Sequence, residues 1–168
     1  NFILKNKDFN ADTEYKHINQ INNVISISTP FLYSIYGDFF NITKLLFEHQ
    51  KINPNNRMIS INPLKNEKHD TALQLAINTN NVKIVQFLLN CNYFEINSIS
   101  FIKEYISNTE IKYTEQNSLI SALECKNLEI IKLILSHPKL NVNYERCGTL
   151  LPLKKISKLP PLFTCFED

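Results

Sequence analysis

The sequence predicts an all-α solenoid in which short helix–turn–helix units stack side by side. A block of similar sequence occurs three times without gaps, at 29–47, 71–89 and 117–135. Equivalent positions of the three blocks carry apolar residues at helical spacing, which is the pattern of a repeat array. The chain of 168 residues is 43% apolar, which is enough for a core shared between stacked units.

The first helix of each unit is expected to begin at Thr29, Thr71 or Asn117. A threonine or asparagine side chain accepts a hydrogen bond from a free N–H of the first helical turn. Pro30 follows Thr29 directly, and proline suits the first helical position because its missing N–H has no helical partner there.

A tight turn and a second helix complete each unit. The turns are predicted at 37–38, 80–81 and 126–127, where glycine, asparagine or lysine–asparagine pairs offer candidates for positive φ. The second helix has a broad apolar stripe, which fits a helix packed between two neighbours. One slot of this helix is isoleucine in every unit, at Ile42, Ile84 and Ile130.

The units start at 29, 71, 117 and 160, so the spacings are 42, 46 and 43 residues. The whole chain, 1–168, is expected to be a single array and a window from a longer polypeptide. Its predicted parts are a partial repeat at 1–12, repeats at 29–55, 71–97 and 117–143, a partial repeat at 160–168, and connectors at 13–28, 56–70, 98–116 and 144–159.

The connectors are expected to be extended finger loops or short hairpins. Residues 59–62 and 111–114 alternate apolar and polar side chains, as half-exposed strands do. Residues 101–106 are also compatible with a short helix, and 13–27 with one or two helical turns. The spacing alone favours HEAT or armadillo repeats, at about 40–47 residues, but the first helix has room for only about two turns.

The repeated blocks resemble the ankyrin family. Thr29–Leu32 and Thr71–Gln74 are similar to its T-P-L-H opening, Glu129–Leu135 to its second helix, and Leu140–Asn143 to its closing D-V-N signature. The period is longer than the roughly 33 residues of that family. The family's histidine, which usually links neighbouring repeats by hydrogen bonds, is replaced by Leu32, Gln74, Ile120 and Phe163, so the resemblance does not carry those bonds over.

The composition argues against several functional classes. The net charge of +2 gives no electrostatic footprint for nucleic acid, and no apolar run approaches the roughly 20 residues of a membrane helix. The four cysteines form no C-x-x-C pair and are interpreted as reduced thiols of a cytoplasmic protein. With two glycines and no metal-ligand spacing, no cofactor, metal, small-molecule substrate or enzymatic activity is expected.

The leading hypothesis is a protein–protein interaction scaffold, within a large or cytoskeletal assembly, that uses the concave finger and first-helix surface. Its partner is another protein or another part of the same polypeptide. The alternatives are a regulatory or targeting domain of a larger enzyme and a structural spacer. The predicted partner-binding residues are exposed or anchor-type side chains of the fingers and first-helix ends: Tyr36, Arg57, Met58, Asn78, Tyr105, Glu124 and Arg146.

Overall fold

The computed structural model describes residues 9–49, 51–91 and 93–144, together with the backbone of 148–152. The helices are α1 (Pro30–Tyr36), α2 (Phe40–His49), α3 (Ala72–Asn78), α4 (Val82–Asn90), α5 (Ser118–Cys125) and α6 (Leu128–Leu135). The strands are β1 (Tyr15–Ile18), β2 (Ile25–Ser28), β3 (Arg57–Ile61), β4 (Glu67–Thr71), β5 (Ser100–Tyr105), β6 (Glu110–Gln116) and β7 (Gly148–Pro152).

The helices form three units, as the repeated blocks predict, and we refer to the pairs α1–α2, α3–α4 and α5–α6 as the first, second and third repeats. The side chains of Thr29, Thr71 and Asn117 cap the first helices by accepting hydrogen bonds from main-chain N–H groups three residues later. The turns use positive φ at Asp38 and Asn80, which follow the first helices, and Gly37 itself has φ of −81°.

The prediction of an all-α fold is wrong, because the connectors fold into one antiparallel sheet of seven strands in chain order. The connectors at 13–28, 56–70 and 98–116 each form a hairpin, and these successive hairpins also pair with each other. Ile25 lies opposite Ile61 across the first of these boundaries, and Glu67 lies opposite Lys103 across the second. The hairpins therefore form one continuous sheet.

Two connector segments differ from their expected conformations. Residues 101–105 belong to strand β5 and form no helix, and the segment 13–27 contains β1 and most of β2 where helical turns were considered. The alternating residues 59–61 and 111–114 do lie in strands, β3 and β6. Pairing with neighbouring hairpins satisfies the main-chain groups of these short segments, which an isolated helical turn would leave largely unpaired.

The core lies between two layers of helices. The first helices α1, α3 and α5 pack side by side, and the second helices α2, α4 and α6 pack behind them. Ile84 and Ile130 are completely buried, as the shared slot predicts, but Ile42 is 48% exposed. Among the described residues, no helix combines the length and the apolar character needed to span a bilayer.

Candidate functional site

The register of the sheet assigns each strand residue to one of two faces, because directly opposed residues of paired strands share a face and alternate residues change face. We call the first face the helix-side face. A row of opposed residues runs along it from strand to strand, through His17, Ser26, Ser60, Lys68, Ile102 and Thr114. We call the other the outer face; its corresponding row is Ile18, Ile25, Ile61, Glu67, Lys103 and Tyr113.

The helix-side face meets the end of the first helix in two repeats through hydrogen bonds. In the second repeat, Asn78 Nδ2 donates to Asp70 Oδ1 at 3.1 Å. In the third, Gln116 Nε2 donates to Glu124 Oε2 at 2.7 Å.

The first repeat makes a different contact, through aromatic rings, between the first strand of its hairpin and the middle of α1. The rings of Tyr15 and Tyr33 meet edge to face, with their centroids 5.8 Å apart. The ring of His17 lies 6.4 Å from the same tyrosine. A strand residue therefore contacts the first helix of its own repeat in all three repeats. The contacts define a groove whose two walls are the helix-side face and the ends of α1, α3 and α5; we call this the finger groove.

Three of the predicted binding residues lie in one row along the finger groove. Tyr36, Asn78 and Glu124 occupy equivalent positions at the ends of α1, α3 and α5, and all three are exposed. Because the three helices pack side by side, the row crosses from one repeat to the next.

The middle of the finger groove contains a buried carboxylate. Asp70 is 6% exposed, and its Oδ2 lies 3.1 Å from Lys68 Nζ. Burial raises the pKa of Asp70, because a carboxylate loses its water contacts there, and the positive charge of Lys68 opposes this shift only in part. The carboxyl group is held by Lys68 and by Asn78, so it links strand β4 to the end of α3 beneath the groove.

Near the hairpin tips the helix-side face has a shallow cavity of about 260 Å³. Residues of three successive hairpins line it, from Val24 in the first to Glu104 in the third, and so it lies across two repeat boundaries. Its lining includes Ser60, Asn62, Asn66, Lys68, Ile102 and Glu104. The finger groove thus extends from the first-helix ends toward the tips of the fingers.

Three of the other four predicted binding residues do not face the finger groove. Met58 is 2% exposed and belongs to the hydrophobic core. Arg57 points to the outer face, where its guanidinium lies 5.8 Å from the ring centroid of Phe101 and donates a hydrogen bond to the carbonyl oxygen of Ile99. Tyr105 also belongs to the outer face, and Arg146 lies outside the described residues.

The outer face joins the second and third hairpins through a cluster of charged and aromatic side chains. Glu67 accepts from Lys103 Nζ and contacts His69 Nε2, each at 3.0 Å. The rings of His69 and Phe101 stack with centroids 4.0 Å apart. Burial alone would raise the pKa of Glu67, but the hydrogen bonds and charges of His69 and Lys103 lower it below its usual value. We call Glu67, His69, Phe101 and Lys103 the outer brace.

The sequence prediction omitted the strand residues of the finger groove: Tyr15, His17, Lys68 and Asp70. A weak, indirect signal exists for the first two, since residues 25–28 of the strand that pairs with theirs alternate between isoleucine and serine. Nothing in the sequence indicates that these strands lie beside the end of a first helix, because that contact depends on the pairing of distant segments.

Two further features of the described residues concern metal binding and thiol chemistry. Within the part of the chain that the structure describes, no three histidine, cysteine, aspartate or glutamate side chains lie close enough to hold a metal ion. Cys91 and Cys125 have free thiols, and burial raises the pKa of Cys91, which reduces its thiolate fraction at neutral pH.

Comparison with known proteins gives one match. The family model described as ankyrin repeats (3 copies) matches residues 2–100 and 62–146, which together cover most of the chain. Searches of curated proteins and of solved structures found no significant match. The model match, together with the capped helix pairs of the three repeats, shows that the chain belongs to the ankyrin-repeat family, whose repeats are in general protein–protein interaction modules.

Proposed function

We propose that this protein binds a partner protein in the finger groove. The observation that carries the proposal is that a hairpin contacts the first helix of its own repeat in all three repeats, at the end of the helix in the second and third and at the middle of α1 in the first. Beside these contacts the exposed side chains of Tyr36, Asn78 and Glu124 lie in a row, and a repeat array typically binds through such a row.

The chemistry of the groove changes along its length. The first repeat offers the aromatic rings of Tyr15, Tyr33 and Tyr36, the type of side chain that most often anchors a protein interface. The second offers hydrogen-bonding groups, and the third a carboxylate, Glu124. These features fit an elongated polypeptide that places an apolar side chain at the first repeat and donors at the third.

The proposed surface keeps Tyr36, Asn78 and Glu124 and drops Met58, because that side chain is buried. Arg57 and Tyr105 face the other side of the sheet and are left out as well. The cytoskeletal assembly, the scaffold role and the cytoplasmic location stay predictions, as does a larger enzyme that this array regulates. The partner is a separate protein or another part of the same polypeptide.

Site-specific photo-cross-linking in extracts of the native cell tests the proposal. The photoreactive residue p-benzoylphenylalanine replaces Tyr36 or Asn78 in the finger groove, and Lys44 or Lys132 on the second helices as matched controls. All four positions are exposed, so none of the replacements disturbs the core. We expect the same partner protein to cross-link from both groove positions and from neither control. Cross-linking of that protein from the controls alone would contradict the proposed surface.

A further inference from the structure

Within the described residues, one edge of the first strand, β1, is not paired with another strand. Asn19 N donates a hydrogen bond to Val24 O at 2.9 Å. Because hydrogen-bonded and non-hydrogen-bonded pairs alternate along an antiparallel ladder, the other hydrogen-bonded pairs of β1 and β2 are 17–26 and 15–28. The main-chain groups of Lys16 and Ile18 therefore point away from β2. Among residues 9–49, 51–91, 93–144 and 148–152, no strand pairs with this edge, and all of β1 is exposed.

The equivalent edges of the next two hairpins are occupied. The free-edge side of β3 pairs with β2, and that of β5 pairs with β4, in both cases antiparallel. The pairs that close these boundaries are of two kinds on the outer face: aliphatic, as between Ile25 and Ile61, and ionic, as between Glu67 and Lys103. The edge of β1 continues this interface between hairpins and offers the same two groups, the aliphatic Ile18 and the cationic Lys16.

A cavity of about 480 Å³ lies beside this edge. Tyr15 of β1 forms part of its wall, and the rest is mostly apolar: Phe9, Pro30, Tyr33, Phe39 and Ile42. Ile42 is 48% exposed, whereas its counterparts Ile84 and Ile130 are 0% exposed because a preceding repeat covers them. A strand added to β1 would place one face of its side chains over this cavity.

We propose that the edge of β1 is a strand-addition site for an extended segment of a partner protein that runs antiparallel to it. The segment places an aliphatic residue opposite Ile18, a carboxylate opposite Lys16 and an apolar side chain beside Tyr15, over the cavity. Read from its own N-terminus, the order is aliphatic, any residue, acidic, apolar. A second copy of β1 does not supply this pattern, because Tyr15–Ile18 contains no carboxylate.

A labelled synthetic peptide of sequence TTVTEFT, which has this order, tests the site by fluorescence anisotropy with the full chain. Strand addition predicts saturable binding that is at least about tenfold weaker when the valine and glutamate nitrogens are N-methylated, because those N–H groups bond to β1. Methylation of the threonine and phenylalanine nitrogens that follow them is the matched control and should leave binding unchanged. Equal binding of both methylated peptides, or no binding of the parent peptide, overturns the proposal.

Variants of the chain test the same site from the other side. Lys16→Pro removes only an N–H that points outward, which an edge strand tolerates, so it should weaken the peptide about tenfold while leaving the melting temperature nearly unchanged. Lys16→Glu should weaken the parent peptide and favour one with lysine in place of glutamate. Ile42→Asn should weaken the parent peptide but not one with threonine in place of phenylalanine. Peptide binding that is unaffected by all three substitutions contradicts the proposed site. Self-association of the protein that Lys16→Pro abolishes would show that a second copy of the chain binds the edge instead.

Discussion

The side-chain nitrogen of Gln74 donates a hydrogen bond to the carbonyl oxygen of Gln116 at 2.6 Å, and so ties the second repeat to the hairpin of the third. The same nitrogen donates to Ser98 O at 3.0 Å, and Gln74 Oε1 accepts from the hydroxyl of Thr71. Gln74 occupies the slot in which ankyrin repeats usually carry a histidine. Gln74 therefore supplies hydrogen bonds that link two repeats, at the position where this chain lacks the histidine of the family.

Replacing Gln74 tests this link. Gln74→Leu should lower the free energy of unfolding by about 1–3 kcal/mol, because two carbonyl groups in a buried region lose their donor. Leucine fits the slot sterically, since Leu32 occupies the equivalent position of the first repeat. Gln74→His should cost less, because a ring nitrogen can still donate. Urea unfolding monitored by circular dichroism measures both, and equal stabilities of the leucine variant and the wild type would exclude the link.

The packing of the second helices gives a larger expected effect. Leu88 is completely buried between repeats, and Leu88→Ala should cost about 2–5 kcal/mol, the usual range for a buried leucine. Lys83→Ala, on the exposed side of the same helix, should change stability by less than about 0.5 kcal/mol. Denaturant melts of the two variants distinguish them, and matching midpoints would mean that the assigned helix register is incorrect.

Arg57 supports the fold rather than the finger groove. Its guanidinium donates to Ile99 O and lies over the ring of Phe101. Arg57→Ala should therefore destabilise the protein by about 1–3 kcal/mol, because a partly buried charged donor and its ring contact are lost together. Lys112→Ala, at an exposed ion pair with Glu104, is the control and should change stability by less than about 0.5 kcal/mol. A thermal melt in which Arg57→Ala matched this control would show that the arginine does not brace the hairpins.

The outer brace gives the protein a defined acid dependence. The pKa of Glu67 is lower in the folded protein than its ordinary value of 4.5. The carboxylate therefore stabilises the fold fully above the unfolded pKa, and this stabilisation is lost as the pH falls through the lower, folded pKa. Glu67→Gln should cost about 1–2 kcal/mol near pH 7, and the difference from wild type should shrink below a pH of about 4.5. Urea melts across that range measure the difference, and a penalty that did not change with pH would contradict the ion pair.

The helices were predictable because their signals are local. Thr29, Thr71 and Asn117 stand next to the helices that they cap, and the isoleucine slot repeats in register. The sheet was not predictable, because its strands are short and their pairing depends on residues in other repeats. Without the register, no pattern tells which face a strand residue takes, since a shift of one position exchanges the two faces.

The same difference between local helix signals and long-range strand pairing explains which residues of the candidate site could be predicted. Tyr36, Asn78 and Glu124 were found from helical spacing, which also determines where they lie in the structure. Arg57 and Tyr105 were selected as residue types that anchor interfaces, and both belong to the outer face. Met58 neighbours Arg57 on the opposite side of β3, where it is buried in the core.

The affinity of the cross-linked partner for the full chain is the measurement that tests the finger groove most directly. Tyr36→Ala removes an exposed side chain at the end of α1 and should weaken binding by at least about 1 kcal/mol, because a tyrosine anchor is lost, with no change in the circular dichroism spectrum. Lys44→Ala and Lys132→Ala, on the second helices, should bind like the wild type. Weakened binding in the two lysine variants, with Tyr36→Ala unaffected, would place the partner on the second helices and contradict the account.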